Sequence, residues 1–414
     1  MLSIFYMLNK LLIIVLLFTT SVLRTQELIE FSMGSGYQYD IYYSLTNGIT
    51  AYPERSNWEL AFSTNESDNN IRINSGNGVV LFQVSNNLNE WDQIESIPID
   101  AIQLRNSNVD WSDGAFVVNA LGELNYGWGT YNPENQTTEG NNIYIINYGI
   151  ESKKLKINSL YDGTFYFTIA NLDGSNEQNI NLNTSAYSDK KFIYYSLNNM
   201  EIVDREPSID NWDLVFTKYE EDLNKLNNDD ELFYNVTGAL SNNNIIFEYD
   251  GFLDVNPSAE TILNSSSNSI NTIGWDWKVY GGGGFSIVPD RAYFIFNQQA
   301  NSLYKIVFQS FSGGASGNCA FLIEDVPYNP TYVSEIINFD SLTISPNPSN
   351  GYFTINSTYN TANLTVINAS GRIILNEQHE NNTNIDLSNF QEGLYFVILE
   401  SEDRYINSKI IIHR

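Results

Sequence analysis

The sequence predicts an all-β protein made of two tandem aromatic-rich β modules and a small C-terminal β-sandwich. Three observations carry that expectation. Aromatic residues make up 14% of the 414-residue chain, with 27 Tyr, 23 Phe and 7 Trp. Such side chains suit a pleated, half-buried surface, and Asn and Gly break the runs between them as turn residues do. Second, the phrase Asn57-Trp58-Glu59-Leu60-Ala61-Phe62 returns about 150 residues later as Asn211-Trp212-Asp213-Leu214-Val215-Phe216, the mark of a duplicated unit. Third, short alternating runs separated by turn signals recur at near-regular spacing over the last seventy or so residues, the pattern of a small sandwich.

In chain order, residues 1–25 read as an export signal. Lys10 supplies the positive end and Leu11 to Phe18 the apolar core, too short to span a bilayer comfortably. Cleavage is expected before Gln26, with an uncleaved anchor as the alternative. No Cys lies near that point, so acylation there as a lipoprotein is chemically ruled out.

The first module is expected over 26–187 and the second over 188–326. Each repeat of the Trp phrase follows a matching run, Tyr42-Tyr43-Ser44-Leu45 and then Tyr194-Tyr195-Ser196-Leu197. Gly127-Trp128 and Tyr131 correspond to Gly274-Trp275 and Tyr280, and Ile143 to Ile146 corresponds to Ala292 to Ile295. The modules abut without a Pro-rich spacer, which predicts a fixed pair. Tyr219 to Glu231 is a charged stretch with helical spacing, read as a short exposed helix or a loop. Residues 327–341, opening with Pro327-Tyr328-Asn329-Pro330, read as a linker. The third unit, 342–414, is expected to place strands near Gly351–Ile355, Leu364–Ile367, Arg372–Leu375, Leu394–Glu400 and Tyr405–Ile412.

Charge and composition narrow the function. Only 20 Lys+Arg face 49 Asp+Glu, a formal charge of −29, which repels phosphate backbones and argues against a nucleic-acid partner. Cys319 is the single cysteine, so no intrachain disulfide forms. The repeat aligns it with Phe165, a place for packing rather than chemistry. The two histidines, His379 and His413, both lie in the C-terminal unit. The modules therefore lack the imidazole that acid–base relays and most zinc sites use, and no carboxylate pair is marked by spacing, so no enzyme is expected. Trp58 and Trp212 alternate with Leu and Phe and are expected on the core face. Trp275, Trp277 and Tyr280, followed by Gly281 to Gly284, are the candidate ligand-binding residues, although that glycine run also reads as a plain turn. Asn171-Leu172-Asp173-Gly174 hints at calcium, but Ile169 and Ile180 stand where an EF-hand needs its first and last ligands, which leaves an irregular Ca²⁺ site built from loop carboxylates as the form such binding would take.

Two resemblances refine this reading. Ser345-Pro346-Asn347-Pro348, Asn350-Gly351, Asn368-Ala369-Ser370-Gly371-Arg372, Gly393 to Val397 and Ser408-Lys409-Ile410-Ile411 together resemble the type A C-terminal sorting domain of the type IX secretion system of Bacteroidota. The carrying positions are Pro346, Asn347, Pro348, Gly351, Gly371, Gly393 and Lys409. The resemblance implies export across the outer membrane after Sec translocation, contact with the type IX machinery, and removal of the tail. The product would be released or held at the outer cell surface, with membrane attachment only through that processing.

Trp58 to Phe62, Asn74-Ser75-Gly76 and Trp128 to Tyr131, with their counterparts at Trp212 to Phe216 and Trp275 to Tyr280, resemble the HmuY-like family of haem-scavenging surface proteins. The second copy lacks a clear Asn-Ser-Gly. This resemblance implies capture of haem or another hydrophobic small molecule. Such proteins commonly hold iron through His or Met, and no His is present in the modules. Met33 and Met200 do not occupy repeated positions. Tyr ligation or stacking without ligation would then be the route to haem. The alternative is an adhesion module that contacts surface glycans.

Overall fold

The computed structural model describes residues 26–65, 69–121, 124–223, 233–242, 245–250, 266–297, 300, 302–326, 342–345, 347, 349–357, 361–368, 372–380, 383–401 and 404–413. The expected signal (1–25) and linker (327–341) lie outside them. The all-β expectation holds: strands joined in antiparallel ladders dominate the described chain, with short 3₁₀ helices of three to six residues between them. Among the described residues no helix is long and apolar enough to cross a membrane.

Residues 60–203 form one sandwich. Its large sheet runs Gln178–Asn183, Thr164–Asn171, Glu151–Tyr161, Ile143–Tyr148, Val80–Ser85 and Ile102–Leu104. Facing it is a four-stranded sheet, Glu201–Val203, Phe192–Ser196, Leu60–Ser63 and Ile71–Ile73. Period 2 sends Leu60, Phe62, Ile193 and Tyr195 inward to meet Tyr144, Leu155, Phe165 and Phe167. The Phe62 ring lies 4.9 Å from Phe165 and 5.4 Å from Phe167.

A second sandwich repeats the order with different strands. Its large sheet runs Glu27–Ser32, Asn318–Val326, Ser302–Phe311, Arg291–Asn297, Ile245–Asp250 and Ser266–Ser267. The small sheet is Phe233–Ser241, Leu214–Asp222, Ile41–Ser44 and Gly48–Ala51. Leu214, Phe216, Ile41 and Tyr43 fill its core with Tyr293, Phe308 and Phe321. The likeness extends to irregularities. The large sheets carry register shifts at matching places, between Ile157 and Ser159 in one and between Phe308 and Ser310 in the other.

The boundary expected at 187/188 is therefore not where the sheets divide. Phe192–Ser196 pairs with Leu60–Ser63, putting Tyr194 opposite Ala61. Ile41–Ser44 pairs with Leu214–Asp222, putting Tyr42 opposite Val215. Glu27–Ser32 likewise closes the second large sheet against Asn318–Val326. Each Tyr-Tyr phrase joins the Trp phrase of the other copy, so residues 27–51 complete a sandwich otherwise built from 212–326. An alternating pattern specifies which face of a strand is buried, not which strand lies beside it.

The helical reading of 219–231 is corrected in part. Residues 219–222 extend the strand Leu214–Asp222, and Glu220 and Glu221 lie opposite Asn235 and Tyr234. The remainder falls largely outside the described residues.

The C-terminal unit is a small sandwich, as expected. Leu342–Ser345, Tyr352–Ser357 and Thr383–Asp386 form one sheet, and Ile373–Glu380, Thr361–Asn368, Gly393–Ser401 and Arg404–Ile412 form the other. Phe353, Ile355, Leu364, Val366, Val397 and Ile410 meet between them.

Candidate functional site: the cleft between the small sheets

The outer faces of the two small sheets meet each other. Alternation that sends Tyr43 and Tyr195 into the cores turns Tyr42 and Tyr194 outward, and their hydroxyls lie 3.4 Å apart. Each tryptophan of the repeated phrase packs edge-on against a tyrosine of the opposite copy. The ring centroids are 4.9 Å apart for Trp58 and Tyr194 and 5.1 Å for Tyr42 and Trp212. This corrects the expectation that Trp58 and Trp212 share the face of Leu and Phe. The strands begin only at Leu60 and Leu214, so the tryptophans fall on the face between the sandwiches.

The acid after each tryptophan explains the phrase. Glu59 accepts hydrogen bonds from the Leu197 N–H at 2.5 Å and the Asn198 side chain at 2.7 Å. Asp213 accepts from the Leu45 N–H at 2.6 Å and the Asn297 side chain at 2.7 Å. A buried carboxylate must find such donors. Leu197, Asn198 and Leu45 lie on the loop that follows the Tyr-Tyr strand of the other copy, so each acid stitches the copies together, while Asn297 ends the strand Arg291–Asn297. Asn74 Nδ2 donates to the carbonyls of Arg55 and Trp58, and Asn242 Nδ2 donates in the same way to those of Ile209 and Trp212. Asn242 is thus the counterpart of Asn74 that sequence comparison missed. The Trp phrase fixes its place, but the surrounding Ser-Gly is absent from the second copy.

At the centre, Arg205 Nη2 donates to Asp40 at 2.7 Å, with both side chains almost fully buried. It also reaches the Glu54 carbonyl at 3.2 Å and lies over the Tyr194 ring, 5.0 Å from its centroid. Thr217 donates to the other Asp40 oxygen at 2.6 Å. Tyr194 donates to Glu206 at 2.7 Å, and the Lys191 N–H does so at 2.7 Å. Burial pushes the Glu206 carboxyl up to about 7 despite those donors.

Beside this centre a cleft of about 80 Å³ opens between the sheets. Its walls include the Trp58 and Trp111 rings, and Asn106, Ser107 and Asn108 also line it. Arg72 lies over the Trp111 ring, 5.1 Å from its centroid, and donates to the carbonyls of Asp110 and Trp111. Gly76 lies against the second sandwich so closely that a Cβ there would stand 1.9 Å from the Lys218 carbonyl oxygen. Lys218 lines the same cleft, and burial, with Arg55 adding to it, holds its ammonium below the usual lysine range. Arg105 and Glu220 form an ion pair from one sandwich to the other.

The residues singled out from sequence lie elsewhere and do not come together. Trp277 is in the second core, stacked on Phe308 at 3.8 Å, its indole donating to the Gly274 carbonyl. Trp275 is half-buried against a different cluster, with Trp212 and Tyr42. Tyr280 is exposed on the hairpin Lys278–Gly281/Gly284–Ile287. Gly282 and Gly283, at φ 62° and 86°, make its two-residue turn, which needs φ > 0 at both places. Lys278 is the feature near this group that sequence did not mark. Its ammonium is buried against the Trp277 ring at 4.1 Å, and burial lowers it to about 7.

Cys319 is buried next to Phe31 and Phe311, and burial pushes its thiol up to about 12. Met33 is buried in the second core, whereas Met200 packs against the first. The Asp173 carboxylate accepts from the N–H and hydroxyl of Ser175 in a tight turn. Among the described residues no group of three or more His, Cys, Asp and Glu is placed to hold a metal ion.

In the tail, Asn347 forms a pair of hydrogen bonds with the last strand, donating to the Lys409 carbonyl at 2.9 Å and accepting from the Ile411 N–H at 3.0 Å. Ser349 extends this link through backbone bonds with Ile411 and His413. Gly351, at φ 109°, fits where a Cβ would stand 2.7 Å from the Ser388 Cα. Gly393 takes φ 140°, and the Lys409 side chain is exposed. Pro346, Pro348 and Gly371 lie outside the described residues. His379 is buried between the hydroxyls of Ser357 and Thr383.

Residues 343–413 match the family described as the secretion system C-terminal sorting domain. The chain is thus a secreted protein delivered through type IX secretion, and its tail engages that machinery. No curated protein matches the chain. Among solved structures it is similar to PorZ, a bacterial surface component of the type IX secretion system of Porphyromonas gingivalis. That similarity is at 10% identity and a TM-score of 0.17, over 69% of this chain and 41% of that one. The chain thus spans less than half the length of that structure.

Proposed function

We propose that the protein is a non-catalytic binding protein of the outer cell surface or the surrounding medium, and that it contacts glycans through the cleft between its small sheets. The observation that carries this reading is the composition of the cleft. Trp58 and Trp111 line it together with the polar residues Ser107 and Asn108. Aromatic faces suit the apolar side of a sugar ring, and amides and hydroxyls suit its hydroxyl groups.

The HmuY-like reading of the repeated modules rests on the repeated phrases, and haem capture is its consequence. The cleft favours the glycan reading over it. At about 80 Å³ it is far smaller than the several hundred Å³ usual for sites that enclose a ligand of drug size. It can seat one edge of a sugar, not a porphyrin. Met33 and Met200, packed in separate cores, give no pair of axial ligands.

A glycan array probed with the exported chain, alongside a haemin titration, tests the proposal. Saturable glycan retention that falls in Trp111→Ala, with no saturable Soret change, supports it. A saturable Soret change with no glycan retention overturns it.

A further inference from the structure

We propose that the cleft selects a carboxylate-bearing sugar, taking the acid group between Trp58, Arg205 and Lys218. This rests on the glycan reading above and names the ligand's chemistry. Arg205 is almost fully buried and pairs with Asp40 through Nη2, yet its Nε–H has no hydrogen-bond partner. The Trp58 indole N–H has none either. The guanidinium carbon of Arg205 lies 5.7 Å from the Trp58 ring centroid, and both residues line the cleft. Lys218 lines it too, and its ammonium makes no hydrogen bond or ion pair among the described residues.

All three unmet groups are donors, and two of the three residues are cations. Buried donors without acceptors cost free energy that an acceptor-rich group recovers. A carboxylate offers about four acceptor sites in a plane and strengthens each bond by its charge. The cleft also stands out in a chain with a formal charge of −29. Its lining carries Arg72, Arg205 and Lys218 against Asp40 and Glu220, so an anion meets attraction here and repulsion over the rest of an acidic surface. About 80 Å³ holds a carboxylate or a few waters; the Asn106 amide is taken up by the backbone of Ile73 and Ala115, and Ser107 and Asn108 remain for the sugar hydroxyls.

The experiment is a titration of the full exported chain with glucuronate, followed through the tryptophan indole N–H signals by ¹H–¹⁵N NMR. Glucose and acetate serve as comparison ligands. The Trp58 signal is identified by its loss in Trp58→Phe. The expected result is a saturable shift of the Trp58 signal with glucuronate, much weaker with glucose or acetate, and an affinity lower by about tenfold in Lys218→Gln, the usual scale for one charge-assisted hydrogen bond. An equal response to glucose overturns the selection for acid while leaving the glycan reading standing. An equal response to acetate overturns the sugar. No response to any of the three, with glycan retention intact on the array, removes the carboxylate site but not the glycan reading.

Discussion

Tyr42 and Tyr194 hold the same place in the two copies, and their hydroxyls meet 3.4 Å apart at the junction of the sandwiches. Around that contact the copies are related as if by a twofold axis: Trp212 against Tyr42, Trp58 against Tyr194, Asp213 accepting from the loop after Tyr43, and Glu59 accepting from the loop after Tyr195. The charges break the relation. Asp40, two residues before Tyr42, meets Arg205, while the matching place before Tyr194 is Phe192.

The buried Glu206 makes stability depend on pH. Its carboxyl is raised from 4.5 to about 7, so the folded state prefers the proton. The stability it contributes is full below about pH 4.5 and is lost as pH rises through about 7, a loss on the order of 3 kcal/mol. Chemical denaturation across this range, on the wild type and on Glu206→Gln, checks it. The variant is expected to lose this part of the decline.

Cleaving the chain between the copies should not separate them. A protease site placed between Tyr187 and Lys190 cuts a connection, yet the strand pairs Phe192–Ser196 with Leu60–Ser63 and Ile41–Ser44 with Leu214–Asp222 hold the pieces together. The cut protein is expected to elute from a sizing column as one particle and to give two bands only after denaturation. Two peaks under native conditions would contradict the pairing.

Gly76→Ala probes the contact between sandwiches. The added methyl would stand 1.9 Å from the Lys218 carbonyl oxygen, backbone that yields only if the sheets part. Overpacking of this kind costs about 1–3 kcal/mol or more. The midpoint of unfolding is expected to fall accordingly, whereas Gly36→Ser, at a position open to solvent, tests the smaller effect of positive φ alone.

Trp277 and Tyr280, paired by sequence as ligand residues, should behave differently. Trp277→Ala removes a ring stacked at 3.8 Å on Phe308 and is expected to cost about 3–5 kcal/mol. Tyr280→Ala, at 68% exposure, is expected to change stability by less than about 0.5 kcal/mol. Denaturant unfolding of both variants decides it.

Much of the fold was legible. Alternation in Leu60-Ala61-Phe62 and Leu214-Val215-Phe216 marks a strand with an apolar face, and the tail's strands near Gly351–Ile355, Leu364–Ile367 and Leu394–Glu400 fall close to where they are expected. The exchange of partners was not legible, because Tyr42-Tyr43 and Tyr194-Tyr195 offer the same two faces to either Trp phrase. The faces of Trp58 and Trp212 were misread for a related reason. Period 2 was carried back past the start of the strand, where Glu59 and Asp213 turn inward as hydrogen-bond acceptors. The cleft was invisible in sequence because its members, from Asp40 to Leu240, are brought together only by that exchange.

The return of Glu27–Ser32 to Asn318–Val326 sets a timetable for the growing polypeptide. Once Val203 has been made, every strand of the earlier sandwich exists and that sandwich can close. Ile41–Ser44, translated before any of it, waits for Leu214–Asp222, and Glu27–Ser32 has no seat until nearly three hundred further residues have followed. What is spelled first is settled last, and anything that shields those opening strands meanwhile governs how much finished protein is obtained.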